Sequence, residues 1–193
     1  MIQYLLLLIV FPFFVTPAQE KPLSKNASDE YGREVIAFLN AVKKKELHDP
    51  SFTLVDVPKY SCFEYTLDDS VSFTKAEMDQ IANEINAPKV TNWRSVLPVN
   101  IRFLEAKFVA SHTKVIKNPK REAKRFEKYF GGCYANFSAP IFLRTYTFCL
   151  MYVDQICAGG KSSGELQVFE KVDGVWKQLP SRCEWSEQIL YFC

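Results

Sequence analysis

The chain has 193 residues, 48% of them hydrophobic and 24% charged, with a formal net charge of +2. That profile is globular and excludes a disordered chain. A balance so close to neutral selects no nucleic-acid partner, and the length fits a single domain.

Leu5 to Val15 is an apolar run of 11 residues, the length of a signal-peptide core and too short to span a bilayer. Thr16-Pro17-Ala18 then supplies small residues before a cut. Residues 1–18 therefore read as a signal peptide cleaved between Ala18 and Gln19, although no Lys or Arg precedes the apolar run. Residues 19–193 read as one exported domain, secreted or periplasmic. All six cysteines, Cys62, Cys133, Cys149, Cys157, Cys183 and Cys193, lie in this part. An even count in an exported chain points to disulfides, and the sequence leaves their pairing open. No C-x-x-C pair occurs and only His48 and His112 supply imidazoles, so no metal site is assigned.

Tyr31, Val35, Phe38, Leu39 and Val42 recur on one helical face. Ser28 suits its N-cap, and Lys43-Lys44-Lys45 suit its negative end as a solvated terminus. Phe52–Val57 and Ser61–Thr66 read as short strands around Pro58. Next, Thr74 and Glu77 form a capping box, Phe73 and Met78 a hydrophobic staple, and Pro88 a stop. Ile101–Val109 fits either strand or helix. In NPKREAKRFEKYFGG, Asn118 reads as a cap, Pro119 as the first helical residue and Gly131 as the left-handed end. Lys117, Arg121, Lys124 and Lys128 form a basic stripe, with Ala123, Phe126 and Phe130 on another. A packed surface helix explains this pattern; contact of the stripe with an anionic surface is the other reading.

From Thr145 to Val153 two bulky sets alternate, which predicts a central strand covered on both faces. Glu165–Val172 is strand-like, Asp173-Gly174 is a hairpin turn, and Val175-Trp176-Lys177 begins the return, with Trp176 largely buried. Three of the seven glycines, Gly159, Gly160 and Gly164, lie between these strands. A phosphate loop needs its glycines between a strand and a helix N-terminus. Here strand runs to strand, so the loop turns the chain and holds no nucleotide.

The run Phe137–Phe142, the Cys157–Gly160 turn, the Lys171–Gly174 turn and Trp176 together are similar to the C-terminal part of uncharacterised secreted proteins of Bacteroidetes-type bacteria. That resemblance implies export and a disulfide-capable hairpin domain. It implies no activity and carries over no catalytic residue.

The search for chemistry assigns no catalytic, cofactor-binding or metal residue. A Cys–His pair needs a free thiol, and His48 and His112 read as surface residues. Asp68-Asp69 belong to the turn before the capping box. Asp154 and Glu165 flank the glycine loop and are candidates to converge across the hairpin. Asn26 and Asn136 match the glycosylation pattern, which matters in a eukaryotic host. The expected fold is α+β, with two or three helices packed on an antiparallel sheet formed mainly by residues 134–182. The expected function is a secreted non-enzymatic binding or structural domain. The alternative is a secreted hydrolase-type enzyme with a pocket between the sheet and the first helix.

Overall fold

The computed structural model describes residues 25–97, 100–113, 119–158 and 161–188. The cleavage pair Ala18 and Gln19, together with Lys117, Asn118, Gly159, Gly160 and Cys193, lies outside the described residues. The fold is α+β, with six α-helices and eight strands among the described residues.

Helix α1 (Lys25–Val42) buries Tyr31, Val35, Phe38 and Leu39 along one stripe. It begins before Ser28, so Ser28 sits inside the helix rather than capping it. Lys43 breaks the helix, and α2 (Lys44–His48) follows. Asp49 precedes Pro50 and is extended (φ −77°, ψ 118°), as the proline ring requires of its neighbour, which ends α2. The lysine run is thus not a uniformly solvated helix end: Lys44 and Lys45 are exposed, but Lys43 is buried.

Strand β1 (Thr53–Val55) comes next. Residues 61–66, expected as a strand, instead lead into α3 (Glu64–Leu67). Cys62 takes φ +66°, which interrupts an extended path, and the Thr66 hydroxyl donates to the Phe63 carbonyl at 2.6 Å. Helix α4 (Lys75–Asn86) has the expected capping box: the Glu77 amide donates to Thr74 Oγ1 at 3.3 Å, and the Thr74 amide donates to Glu77 Oε2 at 2.8 Å. Phe73 and Met78 pack in one cluster, completing the staple. The ambiguous stretch 101–109 is both things in turn, β2 (Arg102–Leu104) and then α5 (Ala106–His112). Helix α6 (Pro119–Phe130) ends at Gly131 with φ +72°.

The remaining strands are β3 (Cys133–Phe137), β4 (Ile141–Leu143), β5 (Phe148–Cys157), β6 (Lys161–Val172), β7 (Val175–Leu179) and β8 (Glu184–Gln188). Their order is β2-β1-β3-β5-β6-β7, with β4 paired to β5 and β8 to β6. The sheet is antiparallel from β3 onward, while β1 runs parallel to both β2 and β3. The expected antiparallel sheet therefore carries a parallel edge from the first half of the chain. Strand β5 starts at Phe148, not Thr145. Arg144, Thr145 and Tyr146 take left-handed φ values of 51°, 55° and 62° and turn the chain between β4 and β5. The alternation continues through Tyr146 because its ring still packs on Phe142, 5.2 Å away.

Alternate residues of each strand face opposite sides. On one side, Cys149, Met151 and Phe169 meet α1 through Phe38 and Leu39. On the other, Leu150, Tyr152, Leu166 and Val168 meet Phe63, Phe73 and Ile81 of the α3–α4 region. Val55, Leu104 and Tyr134 pack with Phe108, Phe126 and Phe130 of α5 and α6. Helices thus stand on both faces of the sheet. Asp173 (φ +53°) and Gly174 (φ +79°) form the predicted two-residue hairpin turn. Trp176 keeps part of its surface open because β7 is an edge strand, but its ring packs on the core, 5.1 Å from Phe38. Disulfides join Cys62 to Cys183 and Cys133 to Cys157, and Cys149 is a buried free thiol. No helix among the described residues is long and apolar enough to cross a membrane.

Candidate functional site

Helix α1 covers the sheet over β4 and the adjoining parts of β5, β6 and β7. The same face continues past the helix toward the glycine-loop end. There Phe137 pairs with Val153, Ala135 with Gln155, Val153 with Glu165, and Gln155 with Ser163. Ser163 and Glu165 in turn pair with Ser186 and Glu184 of β8. Side-by-side residues of paired strands share a face, so these side chains form one floor across four strands. The segment from Lys43 through Thr53 rises beside it as a wall. Between floor and wall lies a cavity of about 950 Å3. The volume is that of a small-molecule site.

Lys43 stands where the wall meets α1 and is 8% exposed. Its Nζ lies 3.7 Å from Glu46 Oε1 and 5.9 Å from the centre of the Phe137 ring. Burial pulls its pKa below the ordinary lysine value, opposed by the negative charges of Glu46 and Glu165. Gln167 is 5% exposed. Its Nε2 donates to Glu165 Oε1 at 2.5 Å, which fixes the amide orientation, and Ser181 Oγ donates to Glu165 Oε2. Gln167 Oε1 is left buried with no hydrogen-bond partner among the described residues. Such an orphan acceptor costs about 1–3 kcal/mol. At the outer rim, Asp49 accepts from the Ser51 hydroxyl at 2.7 Å and from its amide at 2.8 Å, which holds its carboxyl below the usual range. Lys43, Glu46, Asp49, Glu165 and Glu184 all line the cavity, so carboxylates outnumber the ammonium on this surface.

Asp154 and Glu165 do not converge. Asp154 pairs with Gly164 and Glu165 with Val153, so the register sends the two carboxylates to opposite faces. Asp154 is buried in a network of its own. It accepts from Lys59 Nζ at 2.5 Å, Asn136 Nδ2 at 2.6 Å and the Tyr152 hydroxyl at 3.1 Å. Asn136 is thereby committed inside the fold, and its glycosylation pattern has no surface to present. Asn26 falls in the first turn of α1.

The other sequence candidates scatter. His48 is exposed at the end of α2, not α1, with Nδ1 2.8 Å from the Lys44 carbonyl oxygen. His112 ends α5 rather than lying in a loop, and its ring stacks on Phe108 at 4.1 Å. Neither lines the cavity. Asp69 accepts from the Ser72 amide at 3.1 Å in the turn before α4, as the sequence suggests. Strand β5 leads to strand β6 across the glycine loop, so no helix N-terminus faces an anion there. Arg121, Lys124 and Lys128 are exposed on α6, whose Phe130 is buried. No cluster of three or more His, Cys, Asp or Glu suited to a metal occurs among the described residues. Lys43 and Gln167 were missed in sequence reading. Lys43 looked like part of a charge run, and Gln167 is one polar residue in a β-rich segment.

No family model matches the chain, and neither a curated protein nor a solved structure matches it.

Proposed function

We propose that this chain is an exported, non-enzymatic binding domain that holds a small molecule in the cleft between the sheet and the Lys43–Thr53 wall. One observation carries this reading: the helix layer stops short and leaves a cleft over one end of a sheet face, with a nearly buried lysine at its inner end. A domain with a purely structural role gains by closing such a face, since each Å2 of apolar surface left uncovered forgoes about 25 cal/mol. Two disulfides support an oxidising compartment. The likeness of residues 137–176 to secreted bacterial proteins supports export and nothing finer. The hydrolase reading would use the same cleft and rely on Glu46, Asp49, Glu165 or Glu184. Glu165 is already engaged by Gln167 and Ser181, which favours a role in building the floor.

The test is a thermal-shift screen of small molecules on the mature protein, repeated with Gln155→Trp. Gln155 is exposed on the cleft floor, so the larger ring fills the cleft without entering the core. A compound that raises the melting temperature of the parent and not of the variant supports the reading. Compounds that stabilise both equally would refute it.

A further inference from the structure

Lys43 differs from every ordinary feature of a helix end. Its neighbours Lys44 and Lys45 reach solvent, as a terminal lysine does. Lys43 instead turns inward at the break between α1 and α2, and its amine lines the cavity. A buried ammonium normally has a close carboxylate and two further acceptors. This one has a single ion-pair partner among the described residues, Glu46, at the long distance of 3.7 Å. The Phe137 ring beneath it is apolar, and Val153 and Phe52 extend that apolar surface within the cleft.

Two ligand classes are disfavoured by this arrangement. An anion would meet Lys43 but also Glu46, Asp49, Glu165 and Glu184. A simple cation would meet the carboxylates but be repelled at the inner end by Lys43. An uncharged ligand with one electrophilic or hydrogen-bond-accepting end and an apolar body meets neither obstacle.

We infer that Lys43 reversibly captures an uncharged aldehyde bound in the cleft, forming an imine at Nζ. This rests on the cleft being a binding site, and it names the chemical class of ligand. The amine lone pair attacks the carbonyl carbon, a C–N bond forms, and the C=O π pair moves to oxygen. Glu46 relays two protons in turn from nitrogen to that oxygen: the first gives the neutral carbinolamine, and the second lets its hydroxyl depart. Water leaves and the C=N bond forms. One aldehyde and one amine give one imine and one water, with no change of oxidation state, and water reverses the step. Gln167 Oε1, the buried acceptor without a partner among the described residues, belongs to the same cavity lining and lacks a donor, and the carbinolamine hydroxyl is one. Desolvation of Lys43 raises the fraction of reactive free amine at neutral pH relative to exposed lysines.

The experiment treats the mature, disulfide-bonded protein with benzaldehyde and sodium cyanoborohydride at neutral pH. The reductant locks any imine as a stable amine, and peptide mass mapping reads each lysine. Lys43 is expected to be labelled at least about tenfold faster than Lys44 and Lys45. Glu46→Gln is expected to slow labelling at Lys43 on the order of a hundredfold while leaving Lys44 and Lys45 unchanged. Circular dichroism of that variant checks its fold. Equal labelling of the three lysines would overturn the inference and leave the cleft to the ligand screen. Selective labelling of Lys43 that Gln155→Trp does not reduce would instead keep the reactive lysine and reject the cleft as its binding site.

Discussion

Removing the Cys62–Cys183 disulfide should cost more stability than removing Cys133–Cys157, and the structure gives the size of the gap. The two bridges close loops with sequence separations of 121 and 24 residues. In the chain-entropy description, a cross-link excludes denatured conformations in proportion to the logarithm of the loop it closes. The long loop is then worth about 4.9 kcal/mol at 25 °C and the short one about 3.5 kcal/mol. Packing widens the difference. Cys62 is buried beside Phe63 and Phe73, and Cys183 packs against the same cluster, whereas Cys133 lies at the cleft rim. The assay is guanidinium unfolding of the paired Cys→Ala variants, followed by the fluorescence of Trp93, which is fully buried. The Cys62→Ala/Cys183→Ala variant should lose about 1–2 kcal/mol more than Cys133→Ala/Cys157→Ala. It should also show the larger rise in unfolding slope, because its denatured chain is freed over a longer stretch. Equal losses, or the reverse order, would refute the loop-entropy reasoning for this fold.

Thr145→Gly should stabilise the protein by about 0.5–1 kcal/mol, because it relieves an exposed β-branched residue at φ +55°. Arg144→Gly in the same turn should destabilise it instead, since Arg144 donates to Glu77 Oε1 at 2.8 Å; thermal melts of the two variants compare them directly. Glu77→Gln should cost about 1 kcal/mol near neutral pH. Arg144 and then the Thr74 amide hold the Glu77 pKa below its ordinary 4.5, so this stability is full above that value and lost as pH falls through the lower folded pKa. Parent and variant should therefore converge in urea titrations at acidic pH, and a gap that stays constant would contradict the assignment. Gly164→Ala should cost about 1–3 kcal/mol by overpacking, because a Cβ there would stand 2.5 Å from Trp185 Nε1 and 2.8 Å from Asp154 Cβ. Differential scanning calorimetry reads it, and Trp185→Leu in the same chain should restore part of the loss.

What could be read from the sequence is what short-range chemistry decides. The α4 capping box requires only Thr74 and Glu77 three residues apart, and the β6–β7 turn requires only Asp173-Gly174. The parallel edge was not legible, since β1 and β2 are three-residue strands whose partners lie far along the chain. Alternation across Tyr146 extended β5 too early, because a turn residue can keep a core contact and so preserve the pattern. Residues 61–66 have strand-forming side chains, but Cys62 takes a left-handed φ of +66° that interrupts an extended path. The cleft escaped for a related reason. Its floor and wall come from five separated segments, and most of them contribute Ser, Gln, Glu or Lys residues unremarkable on any surface. Only the register of β3, β5, β6 and β8 makes them neighbours.

The topology also bears on the order in which the two disulfides can close. Strands β5, β6 and β7 are consecutive and antiparallel, so their ladders close small loops and form early. The bridge between Cys133 and Cys157 needs little more than that, since β3 pairs with β5 and places these two residues directly opposite. Cys62 must wait. Its partner Cys183 precedes the last strand, and β1 cannot dock through Leu54 until Ala135 is in place beside it. For that interval Cys62 and Cys183 are thiols alongside Cys149, and Cys149 is covered when α1 packs over it. Closure of α1 over the sheet is therefore what keeps the Cys149 thiol apart from the two bridged pairs.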